Sequence, residues 1–134
     1  MVWVEVFAVF LVCHLAGDYL LQTDWQALHK RNGLSGGPEA FRALFSHVTT
    51  YTLAFVPALI WIGGDLSALE VAAVAGLIFG PHLVQDDGRL LGRYMKAVKG
   101  SEAAENLPVA AMVDQSFHYL TLFLIALLVG DMST

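Results

Sequence analysis

The amino-acid sequence predicts an all-α fold, a bundle of four transmembrane helices in up-down-up-down order with a short cytoplasmic surface helix. It predicts one integral membrane domain over residues 1–134. Hydrophobic residues make up 57% of the chain and charged residues only 14%, well below the share that is usual in soluble domains. Four apolar segments are each long enough to cross a bilayer, which takes about 20 residues. They cover approximately residues 2–22, 43–62, 68–86 and 109–130.

Residues that commonly begin and end helices separate these segments. No Lys or Arg precedes the first segment, which carries Glu5, so we expect it to remain a transmembrane helix rather than to act as a signal peptide. The Gly63-Gly64 pair ends the second segment. Helix starts are predicted at Thr23 for the short surface helix, at Ser67 for the third segment and at Asn106 for the fourth.

The basic residues predict the orientation. All seven Lys and Arg residues fall in two connections, after the first and after the third segment. Alternate connections of an up-down bundle lie on one side, and cytoplasmic loops carry an excess of Lys and Arg. We therefore expect these two connections to face the cytoplasm and both termini to lie outside. The basic residues are Lys30, Arg31 and Arg42 in the first connection, and Arg89, Arg93, Lys96 and Lys99 in the second.

Three pairs of ionisable residues interrupt the apolar segments. The members of each pair are four positions apart, which puts them on one face of a helix. Charged and imidazole side chains are costly inside a membrane and are usually functional there. The pairs, together with His47 on the second helix, fall near the cytoplasmic ends of their helices and should converge at one depth. The pairs are His14 and Asp18, His82 and Asp86, and Asp114 and His118.

Imidazole and carboxylate groups at one depth predict a metal site, because this ligand set suits zinc, iron or manganese better than calcium or magnesium. We expect one or two ions, since the candidates outnumber the ligands of one tetrahedral ion, and groups that bind no ion would orient those that do. The candidate catalytic residues are the carboxylates Asp18, Asp86 and Asp114. The candidate metal ligands are His14, Asp18, His47, His82, Asp86, Asp114 and His118.

A site of this kind favours hydrolysis, because a metal ion activates bound water and polarises the electrophile. A carboxylate that is not a ligand would act as the general base. The second basic connection, with Arg89, Arg93, Lys96 and Lys99, suits a lipid-like or anionic phosphorylated substrate, although the positive-inside rule explains the same charges by topology alone. The expected partners are the lipid bilayer and such a substrate, with no nucleic acid; a homo-oligomer is left open.

Two other functions stay open. The same groups could form a relay in a proton or metal-ion carrier. Four short helices are few for a carrier, so this function would require an oligomer. They could also form a structural polar network in a non-catalytic membrane scaffold or accessory protein, because buried His–Asp pairs often hold helices together. Loss of one ligand should abolish turnover in an enzyme and leave its fold intact, whereas a carrier should show flux in liposomes.

Three polar residues near the pairs receive more modest interpretations. Gln115 adjoins Asp114 but is turned about 100° away from it around the helix. Tyr51 follows His47 by one turn and is interpreted as sharing its polar face. Asp87, at the end of the third segment, is interpreted as a helix cap or a solvated charge.

The order of these motifs resembles that of a family of small bacterial and phage membrane proteins of unknown function. The resemblance implies the membrane fold, a location in the bacterial inner membrane and a shared His/Asp site, and it covers most of the chain. More distantly, the His/Asp pattern is similar to small inner-membrane proteins described as metal-dependent hydrolases, which implies that activity. The stretches that carry the resemblance are His14-Leu-Ala-Gly-Asp18-Tyr-Leu-Leu-Gln22-Thr-Asp24-Trp25 followed by Lys30, then His82-x-x-x-Asp86, then Asp114-Gln115-x-x-His118.

Overall fold

A computed structural model describes residues 1–134, and the chain is mostly helical, without a β-strand. The prediction of an all-α fold is confirmed. Two π-helical segments, Ala16–Leu20 and Met95–Lys99, continue α1 and α6. The α-helices are α1 (Trp3–Leu15), α2 (Asp24–His29), α3 (Pro38–Ala54), α4 (Val56–Ile62), α5 (Ala68–Asp87), α6 (Arg89–Tyr94), α7 (Ser101–Glu105) and α8 (Leu107–Met132).

Three of these helices are long and apolar enough to cross a membrane. They are α1 with its π-helical continuation (Trp3–Leu20), α5 and α8. The pair α3 and α4 provides a fourth candidate if it counts as one span, because a bend of 45° at Phe55 separates the two. The sequence predicted this segment as one helix over residues 43–62. Pro57, just after the bend, has no backbone N–H to continue the hydrogen-bond pattern, which accounts for the interruption.

The predicted helix starts are present and have side-chain caps. Thr23 and Gln26 form a capping box at α2, and Ser67 and Glu70 form another at α5. The side chain of Asn106 accepts a hydrogen bond from the first turn of α8. Each cap satisfies backbone N–H groups that would otherwise lack a partner.

The three membrane-length helices and the bent pair of α3 and α4, together four helical segments, enclose one interior. α1 packs along α8, α8 along α5 and α5 along α3, while the π-helical end of the first span packs against α3. The two ends of the chain meet, because the amine of Met1 donates a hydrogen bond to Ser133 Oγ at 2.8 Å. The half of the interior nearest the chain ends is apolar. Its buried residues include Val6, Phe10, Phe55, Ala58, Val74, Ile78, Ala126 and Val129.

The two basic connections meet at the opposite end of the bundle. The backbone N–H of Asn32 donates to the Asp87 carbonyl, and that of Leu34 donates to Asp87 Oδ1, both at 2.9 Å. Arg89 Nε donates to Asp87 Oδ2 at 2.5 Å. The interpretation of Asp87 as a cap or a solvated charge was therefore wrong: its side chain is buried and ties the first basic connection to the end of α5.

Apolar side chains cover the outside of the helices. Only 27 of the 134 residues are buried, although more than half of the chain is hydrophobic. Leu20 and Leu69, for example, are 80% and 81% exposed. Apolar patches this extensive are rare on soluble monomers, and they match the lipid-facing surface of a membrane bundle.

Candidate metal centre

Next to the apolar half, the interior becomes polar, and the seven candidate ligands lie there on all four spans. The four histidine rings and Asp86 are buried. The side chain of Asp18 is 8% exposed and that of Asp114 25% exposed, so Asp114 is the most accessible of the set. The first span supplies His14 and Asp18, α3 supplies His47, α5 supplies His82 and Asp86, and α8 supplies Asp114 and His118.

Four of these side chains form a first group that could hold a metal ion, namely Asp18, His47, His82 and Asp86. His47 Nε2 lies 2.8 Å from Asp86 Oδ2, 3.2 Å from His82 Nε2 and 3.3 Å from Asp18 Oδ1. His82 Nε2 lies 3.3 Å from Asp18 Oδ1 and 3.5 Å from Asp86 Oδ2. Nitrogen and oxygen ligands of a tetrahedral zinc ion are about 3.3 Å apart. The spacing of this group therefore fits one tetrahedral ion.

Atoms of the first group lack hydrogen-bond partners. Asp18 Oδ1 is buried and has no well-oriented hydrogen bond, although the Nε2 atoms of His47 and His82 each lie 3.3 Å away. Leaving such an atom unpaired costs about 1–3 kcal/mol, and a cation would remove that cost. The Nδ1 atoms of His47 and His82 are also buried without a partner, so no protein group holds a hydrogen on Nδ1 of either ring. Their Nε2 atoms face carboxylate oxygens of Asp86 and Asp18, and because those oxygens only accept, a cation, either a proton or a metal ion, must lie between them and the rings.

A second group that could hold an ion shares a residue with the first and consists of Asp86, Asp114 and His118. His118 Nε2 lies 3.0 Å from Asp86 Oδ1, while the other oxygen of Asp86 faces the first group. His118 Nδ1 lies 2.8 Å from the backbone carbonyl of Asp114. The carboxylate of Asp86 therefore lies between the two groups.

The closest contacts in the cluster join different helices. Within the predicted pairs, the shortest distances between a ring nitrogen and a carboxylate oxygen are 3.8 Å for His14 and Asp18, 3.5 Å for His82 and Asp86, and 3.7 Å for His118 and Asp114. The contacts of Asp86 with His47 on α3 and with His118 on α8 are shorter, at 2.8 and 3.0 Å. The cluster is therefore held across the bundle, and the four-residue spacing only puts the groups on the inner face.

A π-helical turn positions Asp18. The N–H of Leu21 donates to the carbonyl of Ala16, a five-residue hydrogen bond that widens the helix where Asp18 lies. Gly17 in this turn packs directly against α3, where a Cβ atom would come within 2.6 Å of Tyr51 Cδ2. A glycine is thus required for the close approach that brings Asp18 next to His47.

His14, a predicted ligand, lies outside both groups and has partners on both ring nitrogens. Its Nε2 lies 2.8 Å from Gln115 Oε1, which can only accept, so Nε2 carries the hydrogen. Its Nδ1 therefore accepts from the Tyr51 hydroxyl at 3.0 Å. Gln115 in turn donates from its amide nitrogen to Asp18 Oδ2 at 3.5 Å. His14 is thus linked to Asp18 through an amide.

Sequence reasoning missed the contributions of Tyr51 and Gln115. The Tyr51 ring stacks on His82 with 3.5 Å between ring centroids and an interplanar angle of 5°. Both residues reach the cluster because the helices rotate them towards it, and the sequence carries only the weak signal of polar residues beside the ionisable pairs.

Lys30 is a cationic group that the sequence assigned to topology alone. Its ammonium donates to Asp86 Oδ2 and to Gln22 Oε1, both at 2.6 Å. Its side chain is 18% exposed and reaches the cluster from the end of α2. A signal was present, since Lys30 follows the His14–Trp25 motif directly, but the spacing alone could not indicate a contact with Asp86 on α5.

Two cavities lead from the surface to the cluster. One has a volume of about 320 Å³ and the other of about 240 Å³, and Lys30, Asp86, Ala111 and Asp114 line both. Arg31 lines the larger cavity and Asp18 the smaller one. Polar molecules can therefore approach the exposed side of the cluster, beside Asp114.

These features define an all-helical protein with membrane-type helices and a buried His/Asp cluster that could hold a metal ion. The chain belongs to the family described as "Protein of unknown function (DUF3307)", which matches residues 6–134. This confirms the predicted membership in a family of unknown function. Comparison with curated proteins gave no match, and neither did comparison with solved structures.

Proposed function

We propose that this protein is a metal-dependent hydrolase of the bacterial inner membrane, with a cytoplasm-facing His/Asp centre and a lipid-like or phosphorylated substrate. The observation that carries the proposal is the near-tetrahedral spacing of four buried ligand atoms on three different spans, from Asp18, His47, His82 and Asp86. Residues that only held helices together would need well-oriented hydrogen bonds, and Asp18 Oδ1 makes none with the two imidazole nitrogens 3.3 Å away.

The proposed topology is a single domain of four spans in up-down-up-down order. It is supported by the contact between the two basic connections at one end and by the meeting of Met1 and Ser133 at the other. By the positive-inside rule the basic end faces the cytoplasm and the termini face outside. In this arrangement α3 and α4 together form the second span despite their bend.

In the proposed centre, Asp18, Asp86, His47 and His82 bind an ion of zinc, iron or manganese. The ion would supply activated water and polarise the electrophile. Hydrolysis then adds hydroxyl to the phosphoryl or acyl centre, and a proton to the leaving group. Asp114 is the carboxylate outside the first group, and it acts either as the general base or as a ligand of a second ion. His14 orients Asp18 through Gln115.

The walls of the larger cavity support the choice of substrate. Lys30 and Arg31 supply positive charge, while Leu91, Leu107 and Ala110 supply apolar surface on the same cavity. An amphiphile with an anionic head and an apolar tail matches both kinds of surface. It would enter from the bilayer, which covers the exposed apolar side chains around the bundle.

Metal analysis tests the proposal first. The full chain, purified in detergent, is compared with the His47→Gln/His82→Gln double variant by elemental mass spectrometry after incubation with zinc, iron or manganese. We expect stoichiometric metal in the wild type and none in the double variant. His29→Gln is the matched control, because His29 has a side chain 40% exposed at the end of α2 and lies outside the cluster. Wild-type protein that binds none of these metals would refute the proposal.

A substrate screen with the metal-loaded protein tests the activity. The probes are phosphatidic acid in detergent micelles, p-nitrophenyl phosphate and p-nitrophenyl acetate. We expect turnover of at least one probe by the wild type and by His29→Gln, and none by the double variant. Metal-dependent proton or ion flux in liposomes without any turnover would instead support the carrier. Neither flux nor turnover, with a stable fold in the double variant, would support the scaffold.

A further inference from the structure

The two carboxylate oxygens of Asp86 face different sets of ligands. Oδ2 lies 2.8 Å from His47 Nε2 and belongs to the first group. Oδ1 lies 3.0 Å from His118 Nε2, on the side of α8. A carboxylate that offers one oxygen to each of two sites is in the position to bridge two metal ions. The side chain of Asp86 is only 3% exposed, so water cannot readily compete for either oxygen.

The hydrogen bonds of His118 show which ring nitrogen carries a hydrogen. Nδ1 lies 2.8 Å from the backbone carbonyl oxygen of Asp114, and since a carbonyl only accepts, Nδ1 must donate. In a neutral ring, Nε2 then presents a lone pair to Asp86 Oδ1, which is also an acceptor. Two acceptors at 3.0 Å repel each other unless a cation lies between them, either a proton or a metal ion.

The arrangement of His118 matches that of a metal ligand. Histidines that bind metals usually donate their other N–H to a carbonyl or a carboxylate, and His118 donates to the carbonyl of Asp114. The carboxylate of Asp114 supplies a third ligand atom within reach of the other two. Asp114 also borders the two cavities, so the site has an open side, as catalytic metal sites require.

We propose that Asp86, Asp114 and His118 bind a second metal ion, and that Asp86 bridges it to the ion of the first group to form a two-metal centre. The inference rests on the metal site of the proposed function and extends it. In this centre Asp114 would serve as a ligand, and the two ions would supply activated water.

The charge of the two-metal centre indicates the substrate class. The three carboxylates of the cluster exceed the ammonium of Lys30 by two negative charges, and two divalent ions turn this into an excess of two positive charges. An excess of this sign and size attracts a phosphate ester dianion. Two-metal centres also stabilise both the attacking and the leaving oxygen of a phosphoryl transfer. The substrate is therefore a phosphate monoester, and a membrane-bound one if its tail is apolar.

The number of bound ions tests the proposal with manganese as the probe. The full chain is saturated with Mn²⁺ in detergent, freed of excess metal and analysed for bound metal and by electron paramagnetic resonance. We expect two equivalents and a spin-coupled signal in the wild type and in His29→Gln. We expect one equivalent and an uncoupled signal in His118→Gln and in Asp114→Asn. Circular dichroism checks that each variant keeps its helices.

The outcomes separate this inference from the proposed function. If the wild type binds one equivalent of Mn²⁺, the second site is overturned, whatever the result for His118→Gln. The proposed function, as a hydrolase with a single ion, then still stands. No metal in the wild type overturns both. Two equivalents that His118→Gln and Asp114→Asn both retain place the second ion elsewhere and overturn the assignment. The substrate class is overturned if the two-metal protein hydrolyses p-nitrophenyl acetate and leaves p-nitrophenyl phosphate intact.

Discussion

Both halves of the bundle interior contain fully buried side chains, yet the halves are chemically opposite. In the apolar half, Phe10, Phe55 and Val74 have no exposed surface, and in the polar half the same is true of His14 and His47. The same four spans build both halves, and on each span the change from one to the other takes about one helical turn. Burial alone therefore does not distinguish them.

The difference between the halves indicates where the function lies. Close packing of apolar groups stabilises the fold at no electrostatic cost. Burying three carboxylates beside one ammonium, with an oxygen of Asp18 left unpaired, costs free energy that hydrophobic residues of similar size would not. The apolar half holds the spans together, and the polar half is retained for another purpose, which we propose to be metal binding.

Removal of the shared carboxylate should break the polar half most severely. We expect Asp86→Asn to lose bound metal and to lower hydrolase activity at least about a thousandfold. A metal ion contributes several kcal/mol to the transition state, and about 1.4 kcal/mol corresponds to a factor of ten. The measurements are metal content and initial rates, with Glu5→Gln, an isosteric change of an exposed acid on α1, as control. Unchanged metal content and rate would remove Asp86 from the centre.

A substitution that creates a cavity in the apolar half should lower the stability of the fold and leave metal binding unchanged. Phe10 and Phe55 pack edge to face with 5.6 Å between ring centroids. We expect Phe10→Ala to lower the free energy of unfolding by about 3–5 kcal/mol while metal stoichiometry is unchanged. Chemical unfolding in detergent micelles measures this, and Leu124→Ala, at a site 63% exposed, should cost much less. Loss of metal at full stability in Phe10→Ala would show that the halves are not separable.

The boundary between the halves can be tested at the π-helical turn. We expect Gly17→Ala to lower metal affinity about ten- to a hundredfold, because the new Cβ displaces Tyr51, which contacts both His14 and His82. Metal titration of the purified variant measures the affinity. Gly76→Ala is the matched control, since a Cβ there meets no atom within 4 Å. Equal affinities in both variants would exclude Tyr51 as a support of the centre.

The smallest effect on metal affinity is expected from removing the charge of Lys30, at the edge of the polar half. Lys30→Met should raise metal affinity by up to about tenfold, because the ammonium competes with a metal ion for Asp86 Oδ2 and a charged hydrogen bond is worth about 1.5–3 kcal/mol. The readout is a metal competition titration. Arg42→Met removes a positive charge from an exposed position nearby and should leave the affinity unchanged. Weaker binding in Lys30→Met would mean that Lys30 supports the metal-bound form.

The sequence by itself determined the four apolar helical segments, three of the helix caps and the inner face of each segment, but not the break between α3 and α4. Length and hydropathy fix which segments can cross a bilayer, and residues such as Ser67 and Asn106 mark helix starts by local hydrogen bonding alone. The four-residue spacing likewise fixed which ionisable groups share a helix face. These features depend on near neighbours in the chain, so they can be read from it.

Only the tertiary structure decided which of these groups meet. Asp86 contacts His47, His118 and Lys30, and His14 is hydrogen-bonded to Gln115. These contacts depend on how far each helix is rotated and how closely the helices approach. A π-helical turn and a single glycine set that approach for Asp18. Spacing along a helix determines only which face of the helix a side chain lies on. A metal site requires ligand atoms about 3.3 Å apart. Distances this precise depend on how the helices pack across the bundle.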